Sequence, residues 1–250
     1  MINEERHYMV VKSNDLIQKS RFSLTTHQQK IILYLISKIN YNDVDFKEYK
    51  INIIEFCKVC GIDYNSGRAW QELRNSIKQI ADKSMWIETD ANNEILVRWI
   101  EKAILHKNSG DITIKLDNDL KPYLLELKEK YTQYELIYTL QMKSKYSIRL
   151  YELLKSKQYD KLKAYTVNYT IDEIKKLIDA ENYKAFKDFR RRALEKAIEE
   201  INLYSDINIS YEYVKNGKKI THINFRINTK KFYERLNTET LINHKLDKEI

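Results

Sequence analysis

Apolar residues along this 250-residue chain recur every three to four positions in some stretches and every second position in others, which predicts alternating helices and strands. Ile31-Ile32-Leu33-Tyr34-Leu35-Ile36 lies in a first helix running to about Asn40. Thr25 or Thr26 can cap it, because a side-chain oxygen there accepts an orphan N–H of the first turn. Tyr49 to Ile53 reads as a short strand. A second helix, about Ile54 to Cys60, stops at Gly61, the residue expected where the backbone turns left-handed. A third starts near Gly67, places Trp70, Leu73, Ile77 and Ile80 on one face and ends near Lys83. Met85 to Glu88 and Ile95 to Leu105 then read as a hairpin around Asp90-Ala91-Asn92-Asn93, with a further strand at Ile112 to Leu116. A helix from about Asn118 to Tyr131 joins the halves, with Pro122 in its first turn, where a missing N–H removes no bond.

The same order then returns. Ser144 to Gln158 reads as a helix, Tyr165 to Tyr169 as a strand, and Thr170 opens a short helix in which Glu173 completes a capping box. A long helix over about Tyr183 to Leu203 precedes strands Ile207 to Val214 and Ile220 to Ile227, joined across Lys215-Asn216-Gly217-Lys218, where Asn-Gly suits a type I′ turn. Laid over each other, Ile31 to Ile36 falls on Ile148 to Leu153, Glu55 to Cys60 on Glu173 to Ile178, and Leu73, Ile77 and Ile80 on Leu194, Ile198 and Ile201, at offsets of 117, 118 and 121. Loop insertions between equivalent elements produce such a drift. The predicted fold is α+β: two winged-helix domains related by internal duplication, residues 1–130 and 131–235, followed by a tail over 236–250.

Charge separates the halves. Residues 1–130 hold 20 Lys and Arg against 19 Asp and Glu, residues 131–250 hold 24 against 17, so the net charges are +1 and +7. A basic excess in one half fits a surface that displaces counterions from phosphates, although a solvated Lys-rich face would give the same count. The second half is therefore expected to be the main reader of DNA and the first to position or dimerise. No stretch is apolar enough to span a membrane and the N-terminus lacks a signal-peptide core, which points to the cytoplasm. Cys57 and Cys60 form a lone C-x-x-C with no partner set for zinc, read as buried thiols with a redox pair as the alternative.

The run Phe186-Lys187-Asp188-Phe189-Arg190-Arg191-Arg192-Ala193 is the strongest local signal. At 100° per residue Phe186, Phe189, Ala193, Ala197 and Ile201 share the core face, while Lys184, Asp188, Arg191 and Glu195 lie opposite and Arg192 flanks them. In a major groove an Arg fork meets guanine O6 and N7, so Lys184, Lys187, Asp188 and Arg191 are candidates for bases, and Arg190 and Arg192 for phosphates. Arg190 points nearer the core, so its stem would run along the domain edge. Lys215, Asn216, Lys218 and Lys219 form a cationic second wing tip. The first wing, placed at Glu88, Asp90 and Glu94, is acidic, and the first long helix offers the mixed set Arg68, Gln71, Arg74, Asn75 and Lys78. No catalytic or metal motif is present: the five His are scattered, and no phosphate loop, nucleophile elbow or zinc-protease motif occurs. No cofactor and no enzymatic activity are expected.

The segments Val10-Val11-Lys12-Ser13-Asn14-Asp15-Leu16-Ile17, Leu24-Thr25 and Gln29-Lys30-Ile31-Ile32-Leu33 resemble the opening of the initiator replication proteins of iteron-bearing plasmids. Ser147-Ile148-Arg149-Leu150-Tyr151-Glu152-Leu153-Leu154 is similar to a motif of that family's second domain, and Phe189 with Arg190 to Leu194 resembles its recognition helix. The resemblance implies an initiator that binds directly repeated origin sites on double-stranded DNA, helps open an adjacent AT-rich region and recruits host replication proteins. It also implies a homodimer that represses its own promoter, in balance with an active monomer. A twin winged-helix transcription regulator and a protein-interaction module remain as alternatives.

Overall fold

The computed structural model describes residues 2–64, 68–125, 127–158 and 163–248. Its first half opens with α1 (Ile2–Arg6), β1 (Met9–Ser13), α2 (Asn14–Lys19) and the two-residue β2 (Ser20–Arg21). Helix α3 (Thr26–Ser37) starts at Thr25, whose hydroxyl accepts the Gln28 N–H while the Gln28 side chain returns to the Thr25 N–H. Strand β3 (Tyr49–Asn52) leads directly into α4 (Ile53–Cys60), capped by the Asn52 side chain and ended by Gly61 at φ 63° and ψ 44°. Gly67, the expected start of the third helix, lies outside the described residues; α5 (Ala69–Ala81) buries Leu73, Ile77 and Ile80 and half-buries Trp70.

Four strands follow where the pattern predicted three. β4 (Ser84–Glu88) and β5 (Glu94–Arg98) form one hairpin, β6 (Ile100–His106) and β7 (Asp111–Leu116) another. The predicted single strand Ile95 to Leu105 breaks at Trp99, whose buried ring stands edge-on to Phe22 at 5.2 Å. The break decides which hairpin is the wing. β4–β5 pairs with β2, whereas β6–β7 joins β3 in the order β3-β7-β6. The first wing therefore ends at Lys107, Asn108, Ser109 and Gly110, and the acidic tip at Glu88, Asp90 and Glu94 belongs to an inserted hairpin.

The predicted connecting helix is likewise replaced. A 3-10 turn (Asn118–Leu120) runs into the one-turn α6 (Lys121–Leu124), and β8 (Tyr131–Glu135) then pairs antiparallel with β1, from Met9 opposite Glu135 to Ser13 opposite Tyr131. The cut expected at 130/131 thus falls where the chain returns to its own beginning. After α7 (Ile137–Leu140) come α8 (Lys145–Lys155), β9 (Ala164–Thr170) and α9 (Ile171–Leu177), the last with its Thr170–Glu173 capping box in place. The third helix is α10 (Phe186–Phe189), a wide π turn (Arg190–Leu194) and α11 (Glu195–Tyr204). β10 (Ile207–Asn216) and β11 (Lys219–Thr229) complete a sheet in the order β10-β11-β9. In both halves the strand after the first helix pairs with the outgoing strand of the wing, so the duplication read from sequence is also a duplication of topology.

Residues 236–248, expected as a tail, are the body of α12 (Phe232–Lys248). Thr238, Ile242 and Leu246 recur at helical spacing and are buried, and Arg6, 1% exposed, donates to Asn243 and Asp247 at 2.9 Å and to the Lys58 carbonyl at 2.9 Å. The last helix is thereby fastened to the first. A buried ionic cluster ties the halves a second time: Lys12 meets Glu152 at 2.6 Å, Tyr134 donates its hydroxyl to the same carboxylate at 2.6 Å, and Arg149 donates to the carbonyls of Ile17, Ser20 and Leu177 at 3.3, 3.3 and 3.1 Å. No helix among the described residues is long and apolar enough to cross a membrane.

Candidate nucleic-acid interface

The third helix of the second half is held from below and in front. Phe189, Ala193, Leu194, Ala197, Ile198 and Ile201 are buried, the face that the sequence periodicity selects, with Phe186 half-buried at its start. Lys175 of α9 donates to the Tyr183 carbonyl at 2.7 Å and places its ammonium 5.5 Å from the centre of the Phe189 ring, fixing the loop that enters the helix. Lys184 lies in that loop and is exposed, as are Lys187, Arg191 and Arg192. Asp188 is half-buried and faces Arg191 at 3.7 Å.

Arg190 owes its position to the wide turn. On a regular α-helix residues five apart point about 140° away from each other. In a π turn they stack. Arg190 and Glu195 accordingly form an ion pair at 3.4 Å, and Arg190 is half-buried, along the domain edge as the sequence reading has it. The same Glu195 oxygen accepts the Tyr211 hydroxyl at 3.4 Å, and Tyr213 donates to the Tyr211 oxygen at 3.0 Å. Burial pushes the Tyr211 phenol well above its ordinary range, so it stays protonated and can donate. Phe186 stands perpendicular to Tyr213 with ring centres 5.2 Å apart. Helix and wing are thus one unit, joined by the Tyr211–Glu195 hydrogen bond and by edge-on aromatic rings.

The wing tip differs from its prediction by one residue. A bulge between Val214 and Lys215 shifts the register, Asn216 pairs with Lys219, and the two turn residues become Gly217 and Lys218. Gly217 has φ 60° and Lys218 is not left-handed, which fits a glycine-first type II′ turn rather than the Asn-Gly type I′ turn. Lys215, Asn216, Lys218 and Lys219 are all exposed, and none of the three lysines joins an ion pair among the described residues.

In the first half Arg68, Gln71, Arg74, Asn75 and Lys78 are all exposed on or at the start of α5. Gln71 donates to Asn75 at 3.0 Å and Lys78 pairs with Asp82 at 2.5 Å, so at least three of the five are partly engaged along the helix. The wing reassigned to β6–β7 adds the exposed Lys107, which the sequence reading passed over. Its signal was present: Asn108-Ser109-Gly110 is a turn sequence between two alternating runs, and Gly110 has φ 69°. Lys175 was also missed, and Glu195 was read only as part of the exposed face, because Tyr183 and Tyr211, which they hold, lie on other elements. Cys57 and Cys60 are buried and free, and burial pushes their thiols up to about 11 and about 12, which suits packing rather than metal or redox chemistry. Among the described residues no three His, Cys, Asp or Glu side chains gather as a metal site would require.

Two winged helices, the second presenting an exposed basic helix start and a cationic wing, define the class of twin winged-helix DNA-binding proteins. Comparison with known proteins narrows the class. A family model described as "Initiator Replication protein, WH1" matches residues 9–155, and one described as "Initiator Rep protein, WH2" matches residues 170–227. The chain belongs to the initiator replication protein family. It is 24% identical over 226 residues to a "Replication initiation protein" of Escherichia coli, covering 88% of this chain and 69% of that one. It is 30% identical over 155 residues to the "PI protein" of Escherichia coli, covering 55% of this chain and 48% of that one. A solved structure, "Crystal structure of Pi initiator protein in complex with iteron DNA", shares its fold at TM-score 0.71 and 18% identity, over 90% of this chain and 99% of the other. Family membership decides between the initiator reading and the regulator and interaction-module alternatives.

Proposed function

We propose that this chain is a plasmid replication initiator that binds directly repeated origin sites on double-stranded DNA, promotes opening of the adjacent region, recruits host replication proteins, and as a dimer represses its own promoter. It acts in the cytoplasm by binding and not by catalysis. The observation that carries the reading is the second third-helix and its wing: exposed Lys187, Arg191 and Arg192 stand with exposed Lys215, Lys218 and Lys219 on elements locked together through Glu195, Tyr211 and Tyr213. Lys184, Lys187, Asp188 and Arg191 read base edges, and Arg192, the wing lysines, Asn216 and the half-buried Arg190 lie towards phosphates. Arg68, Gln71, Arg74, Asn75 and Lys78, with Lys107, form the contact of the first half.

The division of labour between residues 1–130 and 131–235 belongs to the same proposal, in a weaker form than charge alone suggests, because the first wing is not the acidic hairpin. A dimer draws support from β5, an edge strand on which Leu96 lies exposed beside Trp86 of β4, the kind of apolar edge that a second chain can cover. Footprinting on DNA flanking the coding region, with affinity measured against salt, tests the reading. About six neutralised phosphates give a slope of about −5 in log K against log[salt]. A slope near −1, or no protected repeat, refutes it.

A further inference from the structure

We propose a second anion site in this chain: a cleft of about 1380 Å³ between the start of β8, the far end of the β9–β11–β10 sheet and the first turn of α12, which takes the phosphodiester backbone of DNA. Lys128, Lys130, Lys163, Lys231 and Arg235 line it, and among the described residues none of their side chains meets a hydrogen-bond or ion-pair partner. The other two cations there are engaged: Lys155 pairs with Asp206 at 2.5 Å, and Lys230 donates to the Asn202 carbonyl at 2.6 Å and to Thr238 at 3.1 Å. Against the five stand Glu129 and Glu234, and Glu234 already accepts the Lys231 backbone N–H at 2.7 Å.

Like charges crowded in a concavity repel one another and focus the field outward, which attracts an anion. The two cations at the floor of the cleft, Lys155 and Lys230, are answered by the fold, whereas the four exposed lysines and the half-buried Arg235 are left to face the opening. Two further observations point to a ligand. The Arg235 Nε is buried with no partner, a donor that a native interior seldom leaves unmet. Lys130 has φ 52°, a left-handed conformation disfavoured for a side-chain-bearing residue and concentrated at functional positions.

The site is separate from the recognition helix and wing. It touches Ala164, Asn208 and Asn228 at one end of the sheet, and the wing tip lies at the other end of the ten-residue β10. At a rise of about 3.3 Å per residue the two are about 30 Å apart. A duplex engaged at the wing would reach the cleft only by continuing for about another turn, roughly 34 Å. A single strand could enter independently, with the exposed Phe232 at the rim as a face for a base.

The test uses the full chain carrying Lys128→Ala, Lys163→Ala and Lys231→Ala together, all at exposed positions, with Phe232→Ala as a second variant and melting curves as the folding control. Probes are the footprinted site alone, the same site extended by ten base pairs on each side, a 20-nucleotide oligo-dT, and polyglutamate as a competitor. On the source used in the cell, the triple variant's salt slope should fall by about 2.7 for the extended duplex or about 2.1 for oligo-dT, leaving the short site unchanged. Loss on oligo-dT that Phe232→Ala reproduces assigns a single strand, and loss confined to the extended duplex assigns flanking duplex. Unchanged binding to both overturns the proposal. So does an equal loss on the short site, or displacement by polyglutamate with no binding of either DNA. The cleft is judged on the oligo-dT and extended-duplex arms alone, so a wild-type chain that ignores the short site refutes the initiator reading without deciding this one.

Discussion

Replacing Glu152 by alanine should damage the fold more than any substitution on the DNA face, for reasons that can be worked from its surroundings. Its carboxylate, 1% exposed, faces Lys12 at 2.6 Å and accepts the Tyr134 hydroxyl at 2.6 Å, with Arg149 3.8 Å away. Burial lowers the pKa of both Lys12 and Arg149, and the Glu152 charge opposes that shift. Removing it strands two enclosed cations. Breaking a buried pair from one side costs about 3–5 kcal/mol. At 2–4 °C per kcal/mol for a chain of this size, Tm should fall by roughly 6–20 °C. Lys12→Met removes one of the two cations and leaves Glu152 with Arg149 and Tyr134, so its cost should be nearer that of one charged hydrogen bond, about 1.5–3 kcal/mol. Lys12→Met combined with Glu152→Gln should recover part of the Glu152→Ala loss, since the stranded ammonium is gone. Urea unfolding of the full chain at pH 7 measures the free energies, and a thermal melt measures Tm. The cluster joins β1 and β8 to α8, so Glu152→Ala should also broaden the transition or split it in two. A loss below about 1 kcal/mol, or strict additivity of Lys12→Met and Glu152→Gln, would refute the reasoning.

Arg191→Ala should reduce binding to the specific duplex more than to a scrambled one, whereas Lys218→Ala should weaken both alike; competition on the two duplexes separates the cases. Lys107→Ala should lower affinity modestly and make the salt slope shallower by about 1, while Asp90→Asn on the inserted hairpin should leave the slope unchanged. Asp111 opens β7 beside the first wing, where hydrogen bonds from Lys50, Ser109 and Asn52 hold its carboxyl down at about 2. Its folded pKa lies below the unfolded one, so its contribution is complete above about pH 4 and disappears as pH falls through 2. Urea midpoints of wild type and Asp111→Asn should therefore differ by a constant amount at neutral pH and converge towards pH 2.

Much of the chain declared itself through residues close in sequence. The Thr25–Gln28 and Thr170–Glu173 boxes, the Gly61 stop, the buried faces of α5 and α11 and the alternating strands of the second wing each depend on partners within a few positions, so one stretch of sequence holds the whole cause. The exposed candidates on the second third-helix followed from that same periodicity. What tertiary structure alone decided involves partners far apart. β4–β5 became an insertion because β2 supplied its third strand, and β6–β7 became the wing because β3 did. The segment after Asp117, with helical spacing and a well-placed proline, gave up its helix at Leu125 and came back as β8 to pair with β1. The motifs around Lys12 and around Glu152 carry charges that look solvent-facing when read singly, and only their meeting across 140 positions makes them a buried lock. Arg6 with Asp247, and Glu195 with Tyr211, follow the same rule. A charge or a strand edge does not name its partner, because pairing energy depends on distance in space, and folding is what sets that distance.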